Sequence, residues 1–485
     1  MRRLAPLLLL AALPACGGDE PSGRQPRVEN VLLVTVDTLR ADHLGTYGHP
    51  GGLTPVLDGL ASQSRVFEHA YTQATHTHSA LSSVLTGLAP PRHGVLSQSG
   101  FLTPAAIPLA VQLSAQGVAT ACFIANVCKL RDHRTVVQLG WDEIFCGMEL
   151  EEDGRIVEGS EQYTWDRAVT DAALDWIAEQ DGPWFAWVHY MDPHAEHRPP
   201  PDLWDYDERP ITDKHTQYDY YGALEQQAAR PPQDVLDELW QQYAAEVRGT
   251  DREIGRLLEA VHADFEPEDL AVLFTVDHGE ELFESVPRYG HGMVLSEGVL
   301  RVPLMVRAPG LEPERVRGMS QTLQVTPTVL ELFDVPPPYA LDGQSLLAEQ
   351  PTSELAISYC GHVASARVGR RRVWVDTSES RLLKRSPEIE GVLDRWEGLR
   401  RTPWFRERLV LAHYEDEAPS EMLLLPLTNQ DNRQRAQQIR RNLFSQLRGM
   451  GELPDPEETS DPALRAHLED LGYFGADGPE NEDAE

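Results

Sequence analysis

Residues 30–45 read NVLLVTVDTLRADHLG, and the fold turns on how this stretch is understood. Residues 31–36 form an almost wholly apolar run rich in β-branched side chains, the composition of a strand covered on both faces in a parallel sheet. The run stops at Asp37, which delivers a carboxylate to the carboxyl end of a buried strand, where open α/β sheets place their ligands. A carboxylate there needs a counter-charge, unless it is merely the N-cap of the next helix.

The flanking sequence extends the same pattern. Residues 118–124, 184–190, 270–276 and 303–306 are further short apolar runs, separated by helical patterns such as 165–180 and 232–263. Strands alternating with helices predict an α/β fold with a doubly wound, mostly parallel sheet flanked by helices. Thr54 and Pro55 offer a helix start, with Leu57 and Leu60 on one face. Residues 74–87, ATHTHSALSSVLTG, read as a polar loop opening a short helix that Gly87 can end. From residue 350 the composition shifts, and ISYCGHVASARVGRRRVWVD (357–376) reads as two strands and a turn, followed by charged helical stretches. The expected organisation is a main domain over 29–345, a smaller C-terminal α+β subdomain over 346–475, and an acidic tail over 476–485. No internal repeat is present.

The chain has 485 residues, 77 acidic against 42 basic, for a formal charge of -35. Such a surface repels a polyanion, which argues against DNA or RNA as partner. An anionic substrate would need a strong local cation, and a bound metal is the natural source. The first residues, MRRLAPLLLLAALPACGG, have the charged start, leucine-rich run and small-residue end of a secretory signal over 1–16. Leu13-Pro14-Ala15-Cys16 resembles a bacterial lipobox, although Pro14 is unusual there; lipidation of Cys16 would anchor the protein to the cell envelope through a polar tether over 17–28. No other run reaches the ~18 apolar residues needed to span a bilayer. Cys122 or Cys128 could pair with Cys146 in an oxidising compartment, or all could be buried thiols.

Three strand ends carry acids or imidazoles. Asp37 ends the first, His189, Asp192 and His194 end the run from 184, and Asp277-His278-Gly279-Glu280 ends the run from 270, with His291 soon after. Together at one sheet edge they suit a metal site of hard oxygens with some imidazole.

Seven blocks carry a resemblance: NVLLVTVDTLRADHLGTYG, TPVLDGLA, SSVLTGLAPPRHGV, FAWVHYMDPH, YAAEVRGTDREIGRLLEAV, TVDHGEEL and HGMVLSEGVLRVPLMV. Over residues 29–344 they resemble, in order, the motifs of the sulfatase family in the alkaline-phosphatase-like superfamily. The ending LEDLGYFG is also similar to the close of many bacterial sulfatase-like chains. The resemblance implies a hydrolase of sulfate or phosphate esters on a small molecule or glycan, with one divalent metal beside a nucleophile at a helix N-terminus. Matched by motif, Asp37, Asp277 and His278 fall on metal-ligand positions. A second carboxylate common after the first is Thr38 here, and His278 shifts the preference from calcium toward manganese or zinc. His194 and His291 match positions that contact the ester group or leaving oxygen.

The nucleophile position departs from the pattern. Sulfatases convert the first residue of a Cys/Ser-x-Pro-x-Arg motif to formylglycine; here that residue is Thr77, with Ser79 and Leu81 in place of the Pro and Arg. Threonine is no substrate for that conversion, so no formylglycine is expected. Thr77 resembles instead the nucleophile of phosphodiesterase-like relatives, which passes through a covalent phosphothreonine. His76 or His78 could take over the missing arginine's grip on the oxyanion, and Arg40 and Asp42 fit a structural ion pair. Capping roles for Thr77 and Ser79 also stay open. So do two other functions, a degenerate homologue that binds sulfated or phosphorylated glycan without turnover and an envelope head-group transferase.

Overall fold

The computed structural model describes residues 28–98, 100–125, 135, 140–148, 162–204, 217–227, 229–284, 288–292, 294–360, 363–376, 409–414, 422–425, 429–451, 453–456 and 459–471. The signal, Cys16, the tether up to residue 27, Cys128 and the acidic tail therefore lie outside the described residues, whereas Val28, the last residue of the expected tether, is buried in the main core. In chain order the first half holds β1 (Asn30–Val36), α1 (Pro55–Ala61), β2 (Arg65–Tyr71), α2 (Thr77–Thr86), α3 (Pro90–His93), α4 (Leu109–Ser114), β3 (Ala119–Ile124), β4 (Glu143–Cys146), α5 (Gln162–Ala178) and β5 (Trp184–Tyr190). There follow α6 (Gln217–Gln226), α7 (Gln233–Asp264), β6 (Leu270–Val276), β7 (Glu281–Leu282), β8 (Tyr289–Gly290), α8 (Glu297–Leu300), β9 (Arg301–Val302), β10 (Leu304–Arg307), β11 (Glu314–Gln321) and α9 (Val325–Leu332).

The strands build one sheet in the order β11-β2-β10-β6-β1-β5-β3-β4, with β9 on β2. β1 runs parallel to both neighbours, β5 and β6, and every residue of the three is buried. Their side chains alternate between two cores. Leu32, Val34 and Val36 face the layer of α1, α5 and α7, while Val31 and Leu33 face that of α2, α4 and α9. The sheet is thus mostly parallel and covered on both faces. The 303–306 run is a strand, but β10 lies antiparallel to both β6 and β2.

The register decides where chemistry can occur. Val36 pairs with Tyr190 on one side and Val276 on the other, so the three central strands end level. Asp37, the turn after Tyr190 and Asp277 consequently emerge at one edge.

The C-terminal part corrects the reading of 357–376. Three antiparallel strands occupy it, not two: β12 (Ala356–Cys360), β13 (Val363–Val368) and β14 (Arg371–Asp376), continued by β15 (Leu409–Tyr414) and β16 (Met422–Leu425). The Gly369 turn at φ +52 lets RVGRR reverse within what looked like one strand. Helix α10 (Gln430–Gly449) packs on this sheet through Ala436, Ile439 and Leu443. Helix α11 (Pro462–Asp470) instead returns Leu464 and Leu468 to the main core. A buried ion pair also joins the parts: Arg372 on β14 reaches Glu297 of α8 at 2.7 Å. Cys122 is a buried free thiol, whereas Cys146 is disulfide-bonded, so the Cys122 pairing is excluded. No helix among the described residues is long and apolar enough to cross a membrane.

Candidate metal centre and active site

Asp37 leaves β1 where Thr38 takes φ +57, an uncommon conformation for a β-branched residue. That turn is held by Tyr243 of α7, whose hydroxyl donates to the Thr38 carbonyl at 2.8 Å and accepts from the Arg40 amide at 2.9 Å. Asp37 caps no helix: the next turn is capped without a side chain. Arg40 pairs with Asp42 at 2.7 Å, as expected, and with Glu284 at 2.7 Å.

Asp277 leaves β6 with Oδ1 accepting from the amides of Thr38 (3.2 Å) and His278 (2.6 Å), which aims its other oxygen at the same space. His278 has Nδ1 3.1 Å from the Gly279 carbonyl, a contact that requires Nδ1–H and leaves Nε2 with its lone pair. Gly279 is needed in this turn, because a Cβ there would lie 2.0 Å from the Gly298 carbonyl oxygen. One ligand atom from each of Asp37, Asp277 and His278 lies within 4.8 Å of the others, and all three residues are fully buried.

Thr77 is the first residue of α2, a helix that Gly87 ends at φ +69. Its hydroxyl donates to Asp37 Oδ2 at 3.4 Å and lies 3.3 Å from His278 Nε2. The helix is capped at His76 without a side-chain bond, so Thr77 and Ser79 are not caps; Ser79 bonds the Val95 carbonyl at 2.6 Å. The positive helix end therefore opens at Thr77, two residues before the expected start, where an anion would sit.

The remaining imidazoles complete the walls. His189 accepts from the Thr35 hydroxyl at 2.8 Å and stands 3.8 Å from Asp37 Oδ2. The rings of His194 and His291 meet at 5.0 Å, and His291 lies 4.3 Å from His278. Asp192 does not join them; it sits beside Asp166, which takes the amides of residues 191 and 192. His78 turns away to the Gln98 carbonyl, while the His76 ring packs against Gly292. His197, Glu246 and Tyr218, which the sequence reading passed over, also surround the site. The signal for Glu246 was an acid on the apolar face of α7, between Tyr243 and Thr250.

The electrostatics separate the two acids. Burial works to raise the Asp37 carboxyl, but His194, His189 and His278 outweigh it and hold the group well below the ordinary range. Burial, with Asp37 adding to it, pushes Asp277 well above. Burial drives His278 down, with His291 helping, and keeps its imidazole neutral. Two crowded buried carboxylates beside a neutral imidazole whose lone pair faces them fit a divalent cation.

Comparison with known proteins shows the family and the fold. The sulfatase family model matches residues 29–335. The chain is 25% identical over 353 residues to an ulvan-active sulfatase of Formosa agariphila, covering 68% of this chain and 67% of that one. It is 21% identical over 375 residues to an arylsulfatase of Clostridium perfringens, covering 65% and 77%. In fold it is similar to the phosphonate monoester hydrolase SpPMH from Silicibacter pomeroyi, with a TM-score of 0.64, 18% identity and 87% and 96% of the two chains covered. With the match spanning well over half its length, the chain belongs to the sulfatase family, on the fold of the alkaline phosphatase superfamily.

Proposed function

We propose that this protein hydrolyses phosphate esters, and sulfate esters more slowly, with Thr77 as nucleophile. The observation that carries the reading is the position of the Thr77 hydroxyl, 3.4 Å from Asp37 and 3.3 Å from His278 at the start of α2. A divalent cation held by Asp37, Asp277 and His278 would supply the charge that lowers the pKa of a hydroxyl and neutralises an ester anion.

The rest falls to the chain's own groups. The Thr77 oxygen, its proton released to solvent, attacks phosphorus, the ester oxygen departs, and a phosphothreonine remains, which water then opens at phosphorus. A formylglycine hydrate sheds sulfate by eliminating to its aldehyde; threonine has no second hydroxyl with which to do so. A sulfated Thr77 would wait for water attack at sulfur, which is why phosphoryl chemistry is favoured. The α2 N-terminus faces the anion, and His194 and His291 flank the side from which the leaving oxygen departs; His291, once its Nε2 has taken up a proton from solvent, delivers that proton to the departing oxygen. The N-terminal signal and the lipobox-like segment support an envelope location, with a small-molecule or glycan ester as substrate.

The test is a screen of aryl sulfate, phosphate monoester, diester and phosphonate with calcium, manganese or zinc. Thr77→Ala should lose on the order of 10³-fold or more in kcat with the fold intact, and acid-quenched wild type should carry phosphate on the Thr77 peptide. A wild type no faster than Thr77→Ala on every ester would replace this reading with that of a binding protein.

A further inference from the structure

Behind His291 lies an alternation of carboxylates and imidazoles. Glu246 of α7 bonds His197 Nδ1 through Oε2 at 2.6 Å and takes the Arg198 amide on its other oxygen. His197 is clamped: its amide donates to Gln217 Oε1 at 2.9 Å, its carbonyl accepts from Gln217 Nε2 at 3.1 Å, and its ring meets Tyr243 and Tyr289 edge-on at 5.5 and 5.9 Å. Its free nitrogen, Nε2, therefore faces one atom, Glu280 Oε2, at 3.7 Å. Both atoms are buried and neither has a hydrogen bond among the described residues. Glu280 Oε1 lies 3.2 Å from His291 Nδ1, and the carboxylate also takes the backbone N–H of Ala195, the residue after His194.

A buried carboxylate is costly unless its partners are organised around it, and with the His197 proton on Nδ1 toward Glu246, Nε2 and Glu280 Oε2 face each other as two acceptors, so the organised partners of Glu280 lie on its other oxygen. Here the partners are the His291 imidazole on the leaving-group side and the backbone amide that follows His194. With Nδ1–H of His291 held by Glu280, the second proton that turns the ring into an acid goes to Nε2, toward the reacting ester, as in metal and triad sites where a carboxylate sets the tautomer of a histidine.

We propose that Glu280, backed by His197 and Glu246, is a positioning residue that fixes the orientation and tautomer of His291 toward the leaving oxygen. This rests on the hydrolase reading above, and its test separates the two. The kinetic arm compares an alkyl phosphate ester with a nitrophenyl one, because help to a departing oxygen matters only where that oxygen leaves poorly. Glu280→Ala and His291→Ala should each lower kcat on the alkyl ester by about 10²-fold and on the nitrophenyl ester by less than about 10-fold, with KM nearly unchanged. The double variant should be no slower than His291→Ala alone. Glu280→Gln, whose amide oxygen still accepts from Nδ1, should recover about 10-fold over Glu280→Ala.

The second arm needs no turnover. Nitrogen-15 NMR of histidine-labelled protein, assigned with His291→Asn, should show His291 protonated at Nδ1 in the wild type and shifted toward Nε2 in Glu280→Ala. Equal losses on both esters, a full additional loss in the double variant, or an unchanged His291 tautomer each overturn the positioning role. Absence of turnover above Thr77→Ala overturns the hydrolase reading instead, and the tautomer result still decides whether Glu280 orients His291.

Discussion

Replacing Asp277 with Asn should stabilise the metal-free protein while destroying its response to metal. The two acids and His278 each place a ligand atom within 4.8 Å of the others. Two unit charges 4.8 Å apart at an effective dielectric of about 20 repel by about 3 kcal/mol. Asn keeps Oδ1 for the amides of Thr38 and His278 and can turn its NH₂ to Asp37. For 485 residues the entropy of unfolding is about 1 kcal/mol/K, so the gain is a Tm about 3 °C higher in chelator. The wild type should gain about 2.7 kcal/mol, again about 3 °C, at a metal concentration 100 times Kd. Asp277→Asn should gain nothing. The sign with pH follows from the raised folded value of Asp277: wild-type metal-free stability falls as pH rises above the unfolded value of about 3.9, so the gap to the variant should be small near pH 4 and widen as pH rises. Calorimetry with chelator and with manganese, calcium or zinc checks each point. A variant less stable than the wild type in chelator, or one that still rises with metal as the wild type does, would refute the account of the site.

Thr38→Gly should raise stability by about 1 kcal/mol in urea unfolding, since φ +57 suits glycine and the buried Thr38 hydroxyl has no hydrogen bond to lose. His93, bonded to Ser83 at 2.9 Å and pulled down to about 3 by burial and by His78, should cost the fold about 1 kcal/mol as pH falls from 6.5 to 5.5, the loss ending near pH 3. The stability gap between wild type and His93→Gln should narrow over that range; a constant gap contradicts it. Cys16→Ala should leave an uncleaved or soluble form where the wild type fractionates with membranes, and mass spectrometry showing an unmodified N-terminus elsewhere would refute the anchor.

Much of the fold was legible because its central strands are buried on both faces and so read as unbroken apolar runs. The runs at 31–36, 184–190 and 270–276 became β1, β5 and β6 almost to the residue. Strands whose burial is partial were not legible: β2 carries Glu68 and His69 on a half-exposed stretch, and β11 is polar for most of its length. The antiparallel β10 illustrates the same limit, because an apolar run has no direction.

What the sequence offered by itself was a set of candidates: composition marked Asp37, His194, Asp277, His278 and His291 at or just after strand ends, and the resemblance to the sulfatase motifs added Thr77. The tertiary structure decided which of them face one another. Level ends of β1, β5 and β6 bring Asp37 and Asp277 together and leave Asp192 beside Asp166, a distinction set by sheet register and invisible along the chain. The support behind them could only be found in three dimensions. Glu246, His197 and Glu280 come from a helix and two separate loops, and a hydrogen bond between residues 49 apart leaves no periodic trace in the sequence.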